Sequence, residues 1–242
     1  MGYNLTIDQG NSSAKVAVWN GTDIIFDACY EHFKGEDIDD IIKRFPLINR
    51  AIYSSVANEG SDVINTLKLR NIETIVLNHT TPLPISNSYK TPQSLGRDRI
   101  AAAVGAWCCH KGSDILVIDL GTAITYDVVT ANDCYIGGNI APGVNMRLEA
   151  LHNYTSRLPL VPTQGDCPMW GYDTTTAIRS GVLNGVVGEI YHYKKQLTES
   201  PVVILTGGNA TMIAEMLDFD LEIDHHLVTR GLNCILRYNE NN

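Results

Sequence analysis

The sequence predicts an α/β protein of two similar domains, each with a mixed sheet flanked by helices. The first observation is an internal repeat, because residues 5–11 (LTIDQGN) are echoed by residues 116–122 (LVIDLGT). The repeat keeps one constant offset and superposes Asp8 on Asp119, Gly10 on Gly121, Ala14 on Thr125 and Val18 on Val129. The second observation is the length of 242 residues, which lies between one large domain and two of average size. The repeat favours two.

The first half of the chain supplies the third observation, an order of three strands followed by alternating helices and strands. Apolar or alternating runs predict strands near 3–9, 13–20 and 23–32, and the string NGTD at 20–23 indicates a hairpin turn. The same half carries a helix near 37–44, a strand near 50–56, a helix near 60–70, a strand near 73–78 and a helix from Gly96 to His110. Prolines at 81–85 (TPLPI) interrupt the pattern before that last helix.

The second half repeats this order. Strands are predicted near 114–119, 123–130 and 134–140, then a helix after residue 143, a loop over 155–171, a helix over 173–195, a strand at 202–206 and a helix near 228–238. Two copies of this order describe two ribonuclease-H-like domains, which we place at 1–112 and 113–242.

Composition excludes several classes of protein. A net charge of −9 and a pI near 5.2, without any run of Lys or Arg, argue against a sequence-independent nucleic-acid or anionic-membrane surface. The N-terminus lacks a basic region followed by an apolar stretch, and no segment approaches the roughly 18 apolar residues of a membrane span. We therefore expect a soluble, unexported protein. The six cysteines form no CxxC pair, so we expect reduced, mostly buried thiols.

The repeated Asp-x-Gly turn suits metal-bound phosphate. A glycine at the end of a strand lets backbone N–H groups approach an anion, and a neighbouring carboxylate holds a cation. Asp-x-Gly is also a common hairpin turn, so a single copy would indicate only a structural role. The duplication with matching apolar flanks favours two turns that grip one nucleotide.

Five strings in order narrow the assignment. They are DQGNSSAK at 8–15, TPQSLGRDR at 91–99, DLGTAIT at 119–125, GGNIAPG at 137–143 and GYDT at 171–174. Together they resemble type III pantothenate kinase, a family of the superfamily that contains actin, the chaperone ATPases and the sugar kinases. The resemblance extends over nearly the whole chain.

The resemblance implies transfer of the ATP γ-phosphoryl group to the primary hydroxyl of pantothenate, the first step of coenzyme A biosynthesis. Mg²⁺ and a monovalent cation, K⁺ or NH₄⁺, are implied as cofactors. The implied protein is a cytoplasmic homodimer without a nucleic-acid or membrane partner. Phosphoryl transfer requires positioning, neutralisation of charge and a group that accepts the hydroxyl proton. The chain offers a candidate for each.

The resemblance assigns roles to individual residues. Asp98 is the implied general base, and the implied pantothenate contacts are Tyr89, Gly96, Arg97, Asp98, Arg99 and Thr174. The implied ATP contacts are Asp8, Gln9, Gly10, Asn11, Ser12, Ser13, Ala14, Lys15 and Thr122. Asp8 is the implied Mg²⁺ ligand and Asp119 the implied ligand of the monovalent cation. The first turn departs from the family pattern, because Gln9 replaces an apolar residue and Ser12-Ser13 stands where Thr and a larger residue are common.

Simpler interpretations remain open for four of these residues. Asp98 is an acid in the first turn of a helix, where the helix dipole favours it, and Lys15 suits a solvated strand position. Asp119 suits a turn cap, and Thr174 suits a helix cap. In the family the pantothenate site lies at the dimer interface, so Thr174 is a candidate contact to the partner's substrate.

Other features carry less information. The string GGN at 207–209 follows a strand and opens a helix, as expected beside a nucleotide, but it is too general to assign alone. His225-His226 lacks a third metal ligand at suitable spacing, and Trp107 and Trp170 suit either a core or an interface.

Two rival functions remain. One is a non-catalytic or regulatory relative of the same fold, which we would expect to lose Asp8, Asp98 or Asp119. The other is a kinase for another small hydroxyl compound, which the GRD and GYDT strings disfavour.

Overall fold

The chain forms two compact units. We describe a computed structural model that covers residues 2–10, 13–55, 61–197 and 200–240. Unit 1 contains Met1–Lys111, Asp133–Tyr135 and His226–Asn242, whereas unit 2 contains Gly112–Asn132 and Ile136–His225. No helix within the described ranges is both long and apolar enough to cross a membrane.

Unit 1 is built on a five-stranded mixed sheet. Its strands are β1 (Tyr3–Gln9), β2 (Ala14–Asn20), β3 (Asp23–Tyr30), β4 (Ile48–Ser55) and β5 (Glu73–Val76), in the spatial order β3-β2-β1-β4-β5. β1 pairs antiparallel with β2 and parallel with β4. Gly21 adopts a φ of +63° at the β2–β3 turn, which explains the glycine of the predicted hairpin.

Helices cover both faces of this sheet. One face packs its apolar side chains against α1 (Gly35–Arg44) and α2 (Ser61–Leu69), which contribute Ile38, Ile41, Val63 and Leu67 to the core. Two further elements of unit 1 follow, β6 (Ser86–Asn87) and the 3₁₀ turn Pro92–Ser94. The other face of the sheet lies beneath α3 (Arg97–Cys109) and the last helix, Leu227–Glu240.

Unit 2 is built on the second mixed sheet. Its strands are β7 (Ile115–Leu120), β8 (Ala123–Thr130), β9 (Cys134–Pro142), β10 (Val202–Thr206) and β11 (Glu222–Ile223), in the spatial order β11-β10-β7-β8-β9. The first two residues of β9 group with unit 1, where Cys134 and Tyr135 pair with β6. Helices α4 (Val144–Asn153), α5 (Thr174–Lys195) and α6 (Ala210–Ala214) complete unit 2. The last helix, Leu227–Glu240, is α7 and belongs to unit 1.

The predicted fold class is confirmed, because the chain forms two mixed sheets flanked by helices. The sequence analysis missed β6 and β11, because strands of two residues have no periodicity to detect. The predicted domain boundary follows the repeat, whereas contacts group α7 with unit 1 because α7 packs on α3.

The superposition of the two repeats fails after the turn. Asp8 pairs with Lys15 across the first hairpin, but Asp119 pairs with Thr125 across the second. The second turn is therefore one residue shorter, and the position of Ala14 corresponds to Ile124. The prediction that Ala14 matches Thr125 and Val18 matches Val129 was wrong, because a one-residue change of register moves each side chain to the other face of the sheet.

The expectation of six reduced, mostly buried cysteines was also wrong. Cys108 of α3 and Cys234 of α7 form a disulfide, and Cys29 and Cys109 are exposed. The pair is separated by 126 residues, so no spacing motif could have indicated it. It forms because α3 and α7 pack side by side in unit 1.

Candidate active site

The first Asp-x-Gly turn, which the sequence predicts to bind phosphate, lies at one end of the unit 1 sheet. Asp8 is half-buried near the end of β1, directly opposite Lys15 on β2 and beside Ser54 on β4. Gln9 and the buried Ala14 form the last pair of the hairpin, and the Gly10 N–H donates to the Ser13 carbonyl at 2.9 Å. Asn11 and Ser12 lie outside the described residues.

The N-terminus of α3 lies next to this turn. Arg97 Nη1 donates to the Ser55 carbonyl at 2.6 Å, and Ser55 pairs with Gln9 across the β1–β4 ladder. Unit 1 therefore brings the turn after β1 and the helix that carries Asp98 to the same end of the sheet. The sequence analysis missed Ser55, whose backbone oxygen makes this contact.

Asp98 is the second residue of α3. It is half-buried, and its Oδ1 accepts the Arg99 backbone N–H at 2.9 Å. A Cβ on Gly96 would lie 2.5 Å from Asp98 Oδ1. Asp98 is thus an acid in the first turn of a helix, as the simpler interpretation predicts. Because residue 96 has no side chain, the Oδ1 side of the Asp98 carboxylate is not covered by a Cβ.

Arg99 and Tyr89 form a second part of this region. Arg99 is only 5 % exposed, and its Cζ lies 5.8 Å from the centre of the Tyr89 ring, within the range of a cation–π contact. The Tyr89 ring in turn lies 6.3 Å from that of Tyr135. The fold thus brings Tyr89 into contact with the Arg99 guanidinium, although the two residues are 10 positions apart in sequence.

We predict that Gly96→Ala lowers kcat by at least about tenfold, because a displaced carboxylate loses the geometry of the reaction. The φ of −55° at Gly96 suits alanine, so the added Cβ acts through its contact with Asp98 rather than through backbone strain. Steady-state kinetics measure the effect. Gly188→Ala is the matched control, since nothing lies within 4 Å of a Cβ there. Unchanged kcat in Gly96→Ala would show that Asp98 needs no open face.

The second Asp-x-Gly turn, which the sequence also predicts to bind phosphate, lies in unit 2. Asp119 of β7 pairs with Thr125 of β8 and with Thr206 of β10. Gly207 has a φ of +89°, and a Cβ there would lie 2.5 Å from Asp119 Oδ1 and 2.6 Å from the Leu120 carbonyl carbon, whereas a Cβ on Gly121 would lie 3.1 Å from Asp119 Oδ1. The two glycines therefore allow the backbone to approach the carboxylate closely.

Two neighbouring segments hold this turn. The Asn209 N–H donates to the Leu120 carbonyl at 3.1 Å, which gives the GGN string a place beside the turn. The Gly143 N–H donates to the Thr122 carbonyl at 3.1 Å, and a Cβ on Gly143 would overlap that oxygen. Thr122 itself is exposed.

A charged network in unit 2 was missed by the sequence analysis. Arg147 of α4 donates from Nη1 and Nη2 to the two carboxylate oxygens of Glu189 at 2.8 and 2.7 Å. Arg147 Nε donates to the Pro142 carbonyl at 2.7 Å, and the buried Tyr126 hydroxyl donates to Glu189 at 2.8 Å. These residues are far apart in sequence, so no local pattern indicated them.

The network shifts the pKa of each member. Burial would raise the pKa of Glu189, but hydrogen bonds from Arg147 and Tyr126 and the charge of Arg147 outweigh it, and the net pKa is lowered. Burial and then the Glu189 contact raise the pKa of Tyr126. Glu189 is therefore a carboxylate and Tyr126 a neutral donor at neutral pH.

Thr174 is the first residue of α5, and it does not cap this helix. The cap is Asp173, whose carboxylate accepts the Thr176 N–H at 2.7 Å. This bond, together with one from the Thr176 hydroxyl, lowers the pKa of Asp173. The interpretation of Thr174 as a helix cap was wrong, and its exposed hydroxyl has no such structural duty.

Thr174 lines a groove of about 1010 Å³ in unit 2. Apolar side chains from α4 and α5, with Tyr154 just after α4, dominate its wall, including Met146, Leu151, Ile178 and Val182. The neighbouring loop exposes Met169 and Trp170 by 73 and 85 %. Trp107, by contrast, is a buried residue of α3.

The predicted cation ligands lie in different units, Asp8 in unit 1 and Asp119 in unit 2. Among the described residues, no three His, Cys, Asp or Glu side chains cluster as metal ligands.

Comparison with known proteins decides the family. A family model described as type III pantothenate kinase matches residues 4–196. A type III pantothenate kinase of Phocaeicola vulgatus is 41% identical over 246 residues, covering 98% of this chain and 99% of that protein. The chain belongs to the type III pantothenate kinase family. As a member of this family it catalyses ATP-dependent phosphorylation of pantothenate in coenzyme A biosynthesis, a phosphoryl transfer to an alcohol group.

Solved structures agree with the fold of a type III pantothenate kinase. A Campylobacter jejuni protein assigned provisionally as a Baf-family transcriptional activator superposes with a TM-score of 0.66 at 25% identity, over 98% of this chain and all of that one. The activator of 2-hydroxyisocaproyl-CoA dehydratase from Clostridium difficile, which holds ADPNP, superposes with a TM-score of 0.54 at 10% identity, over 98% of this chain and 93% of that one. The second likeness concerns the fold alone.

Proposed function

We propose that Asp98 is the general base of the pantothenate kinase reaction. Its carboxylate accepts the proton of the primary hydroxyl as that oxygen bonds to the γ-phosphorus and the bond from phosphorus to the leaving ADP breaks. Two contacts of Ser55 support this role best. Ser55 pairs with Gln9 in the β1–β4 ladder, and its carbonyl accepts a hydrogen bond from Arg97, so the first turn and the start of α3 are held together within unit 1.

Pantothenate contacts are assigned around Asp98. Tyr89 offers a phenol and a ring, Arg97 and Arg99 offer positive charge, and Gly96 leaves room for the substrate beside the base. The near-complete burial of Arg99 strengthens its attraction for a carboxylate or an amide oxygen, since a charge interacts more strongly in a low dielectric. A positioned hydroxyl and base meet two of the three requirements of this reaction, positioning and acceptance of the proton.

The first turn is assigned to ATP and Mg²⁺. Asp8 would hold the cation, Lys15 and the serine hydroxyls would face phosphate oxygens, and the backbone from Gln9 to Ala14 would line the anion. Mg²⁺ prefers oxygen ligands, which fits a carboxylate beside the buried Ser54 hydroxyl, whose oxygen has no hydrogen-bond partner in the described part of the chain. When bound, Mg²⁺ neutralises charge on the β- and γ-phosphates.

The second turn is assigned to the monovalent cation and to ATP. Asp119 would hold K⁺ or NH₄⁺, and the exposed Thr122 hydroxyl would contact phosphate. The close approach of the backbone at Gly121 and Gly207 to Asp119 supports this assignment, because a large cation takes several oxygen neighbours and backbone oxygens supply them.

The assembly is assigned as a homodimer in the cytosol, where ATP is made. The groove on α4 and α5 is its contact face, and a second copy of the chain is the occupant. Thr174 lines this groove, so its hydroxyl is offered to the substrate bound near Asp98 of the partner subunit.

Mixed dimers test this assignment. We expect Asp98→Asn and Thr174→Val homodimers each to lose most activity. Heterodimers of the two variants contain one site with both residues intact, so a randomised mixture should regain about a quarter of wild-type activity. Thr175→Val is the matched control, because Thr175 is the next exposed residue of α5.

Heterodimers are isolated by two affinity tags, and activity is assayed per dimer. Heterodimers no more active than their parents would contradict a shared site. Full activity in Thr174→Val alone would remove Thr174 from the substrate contacts.

A further inference from the structure

The Arg147–Glu189–Tyr126 network adjoins the second phosphate turn without touching it. Its members come from three elements of unit 2: Arg147 from α4, Glu189 from α5 and Tyr126 from β8. All three kinds of guanidinium nitrogen are used, two on Glu189 and the third on the Pro142 carbonyl. Glu189 is thus held from two sides, and Arg147 has one fixed orientation.

The Pro142 carbonyl that Arg147 binds is one residue away from a backbone contact with the turn. Gly143 follows Pro142, and its N–H donates to the Thr122 carbonyl. The approach of the two backbones is so close that a Cβ on Gly143 would overlap the carbonyl oxygens of both Thr122 and Gly121. A shift of Pro142 is therefore transmitted to the peptide groups of the turn, which have no room to remain in place.

We propose that Arg147 is a positioning residue for ATP binding: by holding the Pro142 carbonyl it fixes Gly143 against the Gly121–Thr122 turn. The inference rests on the proposed contact between Thr122 and ATP phosphate. Arg147 touches neither substrate nor the reacting atoms in this scheme. Its role is to keep the turn in the geometry that phosphate requires.

Lysine cannot reproduce this arrangement. The planar guanidinium binds both carboxylate oxygens and keeps a third donor for the carbonyl at a fixed angle, whereas an ammonium is a single point of charge on a flexible stem. Arg147→Lys therefore keeps the charge and loses the geometry. Tyr126→Phe removes only the hydroxyl that holds Glu189, and Tyr126 does not line the groove on α4 and α5.

The test compares the two substrates. We expect Arg147→Lys to raise the KM for ATP about tenfold, the factor given by one lost hydrogen bond to a charged group, while the KM for pantothenate stays within about twofold. Tyr126→Phe should raise the KM for ATP about two- to threefold, because the pair itself remains. Calorimetric titration with ADP should show the same ranking of dissociation constants.

Arg70→Lys is the matched control. Arg70 makes the same kind of two-pronged pair with Asp39 in unit 1, at 2.7 and 2.9 Å, on an exposed surface. A purely structural role for Arg147 would lower the melting temperature and the fraction of active enzyme without a selective change in ATP affinity. Size-exclusion chromatography checks that each variant keeps its oligomeric state, because Arg147 also lines the groove.

Thr122→Ala separates this inference from the proposed function. If Thr122→Ala weakens ADP binding and Arg147→Lys and Tyr126→Phe do not, Arg147 does not position the turn. If Thr122→Ala also leaves ADP binding unchanged, the proposed phosphate contact is wrong and the inference falls with it. Weakened ADP binding in Thr122→Ala and Arg147→Lys, with Arg70→Lys unchanged, is the expected result.

Discussion

Asp98→Asn should reduce kcat by at least about 10²-fold, the low end of the contribution of a positioned general base. The amide cannot accept the hydroxyl proton, but its oxygen still accepts the Arg99 backbone N–H that Asp98 binds at 2.9 Å. The melting temperature should therefore stay close to the wild-type value. The variant should therefore lose catalytic activity and keep its folded structure.

The measurement is the steady-state rate at saturating ATP and pantothenate, alongside thermal unfolding. Glu36→Gln is the matched control, because Glu36 is also an acid in the first turn of a helix of unit 1 and is exposed. Its kcat should be unchanged. A kcat near the wild-type value in Asp98→Asn would show that Asp98 is not the general base and serves only as an acid in the first turn of α3.

Gly231→Ala should have the largest effect on stability. A Cβ at position 231 of α7 would overlap the Ala101 carbonyl of α3 and lie 2.8 Å from the Gly105 nitrogen. These are backbone atoms, so the two helices must separate. Overpacking of this kind costs about 3 kcal/mol at its upper range, which lowers the melting temperature of a chain of this size by roughly 6 to 12 °C.

Gly188→Ala is the matched control for a helical glycine. It lies in α5 with nothing within 4 Å of a Cβ. Alanine there should leave the melting temperature unchanged or raise it, because its helix propensity is more favourable than that of glycine by up to about 1 kcal/mol. Calorimetry at one pH compares the two variants. Equal melting temperatures in Gly231→Ala and wild type would show that α3 and α7 do not pack at backbone contact.

The elements with strong local patterns could be predicted from sequence. The strands around Asp8 and Asp119 alternate or run apolar up to an Asp-x-Gly turn, and the helix after Gly96 begins at a recognisable string. Each of these signals lies within about ten residues, which is the range over which periodicity and turn chemistry act. The family strings added the expected base and substrate contacts.

What the sequence could not indicate depends on contacts between distant segments. Glu189 lies 42 residues from Arg147, and Ser55 lies 42 residues from Arg97, so only the fold shows that they meet. The Cys108–Cys234 pair is a consequence of helix packing, and the one-residue difference between the two turns emerges only from strand pairing. The cap at Asp173 was missed because Thr174 beside it is also a common capping residue.

The regulatory relative remains the rival that the chain argues against most directly. Asp8, Asp98 and Asp119 are all present, and the described structure gives each of them a place beside a turn or a helix N-terminus.

The most direct test is ADP and phosphopantothenate formation by the wild-type enzyme, measured with and without pantothenate in K⁺ buffer and again in Na⁺ buffer. We expect one ADP for each phosphopantothenate in K⁺, no comparable ADP release without pantothenate, and a much lower rate in Na⁺. Equal rates in K⁺ and Na⁺ would contradict the monovalent cation at Asp119. The absence of pantothenate-dependent ADP formation in K⁺ would contradict the kinase activity itself.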